Sequence, residues 1–165
     1  MSNLGFERFL ENKGLTLFRA AVGDRNVSTM MHEAGCNVGG EQSGHVVLSD
    51  YCTTGDGLIA ALQILSLIQE TKQTASQLLT VFTPVPQKLH NIRLTKPLNF
   101  NDPALHQAIG RAETALGLNG RLLVRPSGTE PLIRLMAQGD DELLLTTVLH
   151  ELANIVETMQ TEEST

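Results

Sequence analysis

Tryptophan is absent from the 165-residue sequence, tyrosine occurs once, and aromatic residues amount to only 4%. A base-stacking platform for single-stranded nucleic acid is therefore excluded. Basic residues are also scarce: 12 Lys and Arg face 18 Asp and Glu, a formal net charge of −6. Coating DNA or RNA requires the opposite balance, so no nucleic-acid partner is expected. Long apolar runs are missing. Leu58–Ile68 is interrupted by Gln63 and Ser66 and falls well short of the roughly 20 residues a membrane helix requires, so no membrane partner is expected. The opening Met1-Ser2-Asn3-Leu4-Gly5 has no basic region leading into an apolar stretch, so no secretory leader is expected. Cys36 and Cys52 are not at metal-ligand spacing; two free thiols in a cytoplasmic protein are expected.

What is present is enough apolar material, 41% of residues, to build a core. Asn3 or Ser2 caps a helix carrying Phe6, Phe9 and Leu10 on one face, and Gly14 ends it. Leu15–Phe18 reads as a short strand. Asp24 reads as the cap of a helix through His32 with Val27, Met30 and Met31 as its buried stripe, closed by Gly35. Cys36–Glu41 and Val46–Leu48 read as strands around a glycine-rich loop. Leu58, Ile59, Leu62, Leu65 and Ile68 define a helix expected to be buried on most sides. Thr74–Phe82 reads as a shorter helix with Thr74 and Gln77 as a capping box.

Thr83-Pro84-Val85-Pro86 stiffens the chain and forbids helix. The expected organisation is thus a partial α/β domain over 1–82, a linker over 83–88 and a small α+β domain over 89–165. In the last, helices cover one face of an antiparallel sheet. Its elements read strand (Leu89–Leu94), helix (Pro103–Leu116), strand (Arg121–Val124), strand (Leu132–Ala137) and helix (Asp141–Met159), with Gln160–Thr165 a frayed tail.

Two segments carry recognisable chemistry. Arg125-Pro126-Ser127-Gly128-Thr129-Glu130-Pro131 joins two apolar strands. Successive N–H groups of Ser127, Gly128 and Thr129, aimed at one point, would favour an anion. Arg125 offers a planar fork suited to phosphate, and Arg134 adds charge if its strand face points the same way. An ordinary tight hairpin with a surface arginine is equally open on these residues alone. In Gly39-Gly40-Glu41-Gln42-Ser43-Gly44-His45, an extended backbone would set Glu41, Ser43 and His45 on one side. A carboxylate, a hydroxyl and an imidazole suit sugar hydroxyls; a solvent-exposed β-turn is the alternative.

The remaining spots read more plainly. Asp56 in Thr54-Gly55-Asp56-Gly57 is better read as a helix cap than as a Mg²⁺ ligand, and no metal site is expected in this chain. Gly23-Asp24-Arg25 reads as a cap and a surface charge, with a cleft position the other option. His32, His90, His106 and His150 stand alone. Neither Ser43 nor Ser127 has an evident base beside it, so an activated nucleophile is missing.

Gly40-Glu41-Gln42-Ser43-Gly44-His45 resembles the sugar-binding loop of the α-D-phosphohexomutases. Arg125 to Pro131, continuing to Ile133-Arg134, resembles that family's phosphate-binding loop, in the same order and at the same separation. Leu48-Ser49-Asp50-Tyr51 and Thr53-Thr54-Gly55-Asp56-Gly57 resemble its bacterial phosphoglucosamine branch. Family members have four domains: a phosphoserine domain, a Mg²⁺-holding Asp-rich loop, a sugar loop and a phosphate loop. The resemblance covers most of the third and all of the fourth. The Ser-His-Asn-Pro and Asp-Gly-Asp-x-Asp-Arg patterns have no counterpart here.

The resemblance implies a C-terminal portion of an isomerase that interconverts glucosamine 6-phosphate and glucosamine 1-phosphate, inactive without an N-terminal half. A non-catalytic sugar-phosphate-binding module is the alternative. It further implies that Glu41 and Ser43 hold sugar hydroxyls and that His45 lies near the reacting end, available for proton transfer. Arg125, Ser127, Gly128 and Thr129 would grip the phosphate not being transferred, Asp24 and Arg25 would line the cleft, and Mg²⁺ would belong to the complete enzyme.

Overall fold

The computed structural model describes residues 1–161 and divides into two compact units, Met1–Thr83 and Pro84–Thr165. In the first, α1 (Leu4–Asn12) starts where Asn3 accepts the Gly5 N–H at 2.8 Å. Helix α2 (Asp24–Ala34) is capped differently from expectation. Gly23 is its N-cap, and Asp24 is the first helical residue, its carboxylate turned to the Arg25 N–H. Strands β1 (Val38–Gly40) and β2 (Val46–Leu48) form an antiparallel hairpin in which Gly40 faces Val46. Gly39 permits α2 to lie against β1: a Cβ there would run into the Met31 and Val27 side chains.

Helix α3 (Gly57–Thr71) follows, capped by Asp56, whose carboxylate accepts the Leu58 and Ile59 N–H groups at 2.8 and 3.0 Å. Helix α4 (Ala75–Leu79) opens with the Thr74–Gln77 capping box but ends short of Phe82. Two expectations fail here. Leu15–Phe18 is not a strand, because no other strand lies beside it to form a ladder. Helix α3 has no buried residue; Leu58, Leu62 and Leu65 are 71%, 54% and 59% exposed. Its apolar pattern runs all round, which signals a helix meant to be covered, yet the unit supplies little to cover it. The buried apolar residues of this unit are Leu4, Met31 and Val47.

In the second unit, β3 (Gln87–Arg93), β4 (Gly120–Pro126) and β5 (Leu132–Gly139) form an antiparallel sheet in the order β3-β5-β4. Strand β3 begins at Gln87, inside the stretch expected to be linker. Helix α5 (Pro103–Leu116) lies between the Asp102 cap and Gly117. Helix α6 (Glu142–Thr161) starts where the Asp141 carboxylate accepts the Leu143 and Leu144 N–H groups.

Both helices pack on one sheet face. Ile133, Leu135 and Ala137 of β5 are fully buried against Leu105 of α5 and Leu145 and Leu152 of α6. Gln160 is not frayed: its side-chain oxygen accepts the Thr95 and Lys96 N–H groups at 2.9 and 3.0 Å. The rest of the expected tail, 162–165, lies outside the described residues. His90 and His150 do not stand alone either; their rings meet edge to face, centroids 6.3 Å apart. No described helix is long and apolar enough to cross a membrane.

The contrast between the units is measurable. Leu105→Ala is expected to cost about 2–5 kcal/mol, since it empties a closed site. Leu62→Ala is expected to cost less than about 0.5 kcal/mol. Urea denaturation of the two variants checks this; equal losses would contradict the burial described.

Candidate functional site

In the first unit the candidate residues meet around a turn. The Glu41 N–H donates to the His45 carbonyl at 2.9 Å, and the Gly44 N–H to the Glu41 carbonyl at 3.0 Å. This closes a tight five-residue connection between β1 and β2. Glu41, Ser43 and His45 therefore come together by chain reversal, not by the alternation of an extended strand. His45 Nδ1 lies 2.9 Å from Ser43 Oγ and 3.7 Å from Glu41 Oε2. His45 is mostly exposed while the Glu41 side chain is only 16% exposed.

What holds Glu41 is Gly23, expected only as part of a helix cap. The Gly23 N–H donates to Glu41 Oε1 at 2.8 Å. Gly23 has φ of 122°, a backbone conformation that side-chain-bearing residues rarely adopt. Its amide opens α2, so the carboxylate sits where a helix favours negative charge. The same bond brings Asp24 and Arg25, both exposed, to the hairpin's neighbourhood. The sequence marks Gly23-Asp24-Arg25 as a cap, but not its partner Glu41. A groove of about 460 Å³ elsewhere in this unit, lined by residues including Met31, His32, Cys36 and Val47, contains none of the candidate residues.

In the second unit the arginine-bearing loop connects β4 to β5. Strand register sets Arg125 directly opposite Arg134, with Asn91 of β3 on the far side of Arg134. Residues 133, 135 and 137 face the helices, so Arg134 and its cross-strand partner Arg125 share the opposite face. Two like charges placed directly across a ladder repel each other. Arg134 is partly offset by Glu130, 3.5 Å from its guanidinium, while its Nε is buried without a hydrogen-bond partner.

The loop amides depart from expectation. The Ser127 N–H is not available to a ligand, because it donates to the Leu132 carbonyl at 2.8 Å and extends the hairpin. The Thr129 N–H makes only a long contact of 3.5 Å with Ser127 Oγ, and the space around Gly128 is open. The backbone donors left at the tip are the Gly128 and Thr129 amides.

Fold and residues together define a class of proteins. A family model described as phosphoglucomutase/phosphomannomutase, alpha/beta/alpha domain III, matches residues 1–85, and one described as the C-terminal domain of phosphoglucomutase/phosphomannomutase matches residues 89–155. The chain belongs to the phosphoglucomutase/phosphomannomutase family. It is 54% identical over 156 residues to the phosphoglucosamine mutase of Rhizobium meliloti (strain 1021), an alignment covering 94% of this chain and 35% of that protein.

Among solved structures, Aspergillus fumigatus N-acetylphosphoglucosamine mutase in complex with glucose 1,6-bisphosphate aligns at a TM-score of 0.74 and 17% identity. That alignment covers 98% of this chain and 38% of that one. The same fungal enzyme in complex with GlcNAc-6P and magnesium aligns at a TM-score of 0.54 and 20% identity, over 70% of this chain and 23% of that one. The chain thus spans about a third of the length of the curated relatives it matches and corresponds to their domains III and IV.

Among the described residues no group of three or more His, Cys, Asp or Glu could hold a metal, and Asp56 is committed to capping α3.

One thiol is chemically distinct. Cys36 and Cys52 are both unpaired and half-buried. The Thr54 backbone N–H, and then its hydroxyl 3.6 Å from the sulfur, lower the Cys52 pKa; partial burial and Asp56 oppose them. A lowered thiol pKa means more thiolate at neutral pH and faster alkylation. Iodoacetamide is expected to label Cys52 before Cys36, and Thr54→Val to narrow the difference. Equal rates in the unmodified protein, read by mass spectrometry, would contradict the assignment.

Proposed function

We propose that this chain is the substrate-binding portion of a phosphoglucosamine mutase, which interconverts glucosamine 6-phosphate and glucosamine 1-phosphate. The observation that carries the reading is the Arg125–Arg134 cross-strand pair beside the open amides of Gly128 and Thr129. Two arginines set opposite each other in the ladder concentrate positive charge beside the tip. A phosphate dianion meets both charges and accepts from both amides. Arg125, Arg134, the Ser127 hydroxyl, Gly128 and Thr129 thus hold the phosphate that is not transferred. Holding it supplies positioning, a large share of catalysis in phosphoryl transfer.

Glu41 and Ser43 take sugar hydroxyls, for which an acceptor and a hydroxyl of either role are suited. His45, bonded to Ser43 and near Glu41, is placed for proton transfer. Asp24 and Arg25, at the helix start beside Glu41, line the same end of the first unit. The reading is supported by relatives named phosphoglucosamine mutase at 54% identity and by a neighbouring fold solved with a bisphosphorylated sugar. The transferring serine loop and the magnesium loop have no counterpart in this sequence, so the chain by itself binds without turning over. Two unpaired cysteines and a sugar-phosphate substrate fit a cytoplasmic setting.

Isothermal titration calorimetry separates the roles. Arg125→Ala removes a charge-assisted contact worth about 1.5–3 kcal/mol, so the affinity for both glucosamine 6-phosphate and inorganic phosphate is expected to fall at least about ten-fold. Glu41→Ala is expected to weaken glucosamine 6-phosphate and leave inorganic phosphate unchanged. An Arg125→Ala protein with wild-type affinity for the sugar phosphate would overturn the reading.

A further inference from the structure

The loop assigned above to phosphate carries a negative charge of its own. On the sheet face turned away from α5 and α6, the strand register gathers Arg93, Arg121, Arg125 and Arg134. Strands β3, β4 and β5 contain no Asp or Glu. The connection between β4 and β5 supplies one acid, Glu130, and ties it to this basic face: Arg134 Nη2 donates to Glu130 Oε2 at 3.5 Å.

The main chain fixes the place from which that side chain projects. The Glu130 carbonyl accepts the Leu132 N–H at 2.8 Å, and the next carbonyl, of Pro131, accepts the Leu94 N–H at 2.8 Å. Glu130 is thus built into the edge of the site, four residues before Arg134 and three after Ser127.

A carboxylate in this position acts on an incoming phosphate in two opposed ways. By ordering Arg134 it would raise affinity. By repelling the ligand, and by occupying a donor the ligand needs, it would lower affinity. The geometry decides between them. The contact is a single long approach, not a bidentate pair, and the two side chains are 32% and 52% exposed. Such a pair orders little. Arg134 is held by packing instead, since its Nε is buried. Its guanidinium therefore stays beside Arg125 whether or not Glu130 is there, and the repulsion is what remains.

We infer that Glu130 is the internal counter-anion of the phosphate site. It neutralises Arg134 while the site is empty, gives way to the incoming phosphate, and keeps the affinity below what the arginines alone would give. The inference rests on the phosphate reading above and adds what regulates that same site. An enzyme that converts each of two sugar phosphates into the other must release both. A resident carboxylate favours release by taking Arg134 back. It also selects by charge: a singly charged carboxylate gains nothing by replacing Glu130, whereas a phosphate dianion does.

The test is calorimetry on the full chain, with inorganic phosphate and with glucosamine 6-phosphate as probes. Glu130→Gln keeps the shape and removes only the charge; circular dichroism checks that the fold is kept. It is expected to tighten both ligands at least about three-fold at low salt, the size of an exposed ion pair. Glu130→Ala, which leaves no polar group to meet Arg134, is expected to shift affinity in the same direction. The gain from Glu130→Gln is expected to shrink at about 1 M NaCl, where charges are screened beyond about 3 Å. It is also expected to shrink in an Arg134→Ala background, because the two charges are coupled. A Glu130→Gln chain that binds phosphate no more tightly than a wild type that does bind it overturns the inference and leaves the phosphate site standing. A gain untouched by salt or by Arg134→Ala also overturns it. A wild type and a Glu130→Gln chain that both fail to bind phosphate overturn the phosphate reading together with it.

Discussion

Strand β5 is the constraint on which the second unit depends. It lies between β3 and β4 and bonds to both. Because side chains alternate across a strand, burying Ile133, Leu135 and Ala137 beneath α5 and α6 leaves Arg134 no choice but the other face. The antiparallel register then sets Arg125 beside it. A slip of one residue would turn the arginines toward α5 and α6 and take Ile133, Leu135 and Ala137 away from them. The apolar core and the charged row are therefore one arrangement. The free energy that fixes the register is hydrophobic, and the repulsion between like charges is carried at its expense. That is a common condition of binding sites: local unfavourable electrostatics held by a scaffold that is stable for other reasons.

The first unit works differently. Its candidate residues do not lie over a large core. They sit on a hairpin tied to the start of α2 by one hydrogen bond from Gly23 to Glu41. That bond fixes a carboxylate whose other oxygen approaches His45, and it exists because glycine tolerates the backbone angle at residue 23. A rigid connection between loop and helix replaces the packing that positions Arg125 and Arg134. The open face of α3 and the unpaired segment before α2 show how little of this unit's apolar surface is covered from within.

Much of the second unit was legible in the sequence because its signals are local. Asp102-Pro103 at one end and Gly117 at the other define α5 to the residue; in the first unit, Thr74 with Gln77 likewise announces the capping box of α4. The two loops could be singled out because arginine, hydroxyls and glycine between apolar strands carry their chemistry in their side chains. What was not legible depends on distant parts of the chain. Leu15–Phe18 has the composition of a strand, but a strand exists only beside another. The periodicity of α3 tells that it should be buried, not whether the covering layer is there. The Ser127 amide looked available until the hairpin register committed it to Leu132. Glu41, Ser43 and His45 were expected to share a side of an extended strand; they meet instead on an exposed turn, the alternative left open, whose hydrogen bonds no spacing rule specifies.

The central claim is that the tip between β4 and β5 accepts a phosphate. Its most direct test is a nuclear magnetic resonance titration of the isotope-labelled chain with inorganic phosphate. The account predicts saturable shifts concentrated at the Gly128 and Thr129 amides and at the side-chain Nε–H of Arg134, with the amides of α5 unmoved. The amide of Ser127, already bonded to Leu132, should move less than its two neighbours. Shifts scattered over the surface without saturation, or a loop that stays silent while another site responds, would contradict it.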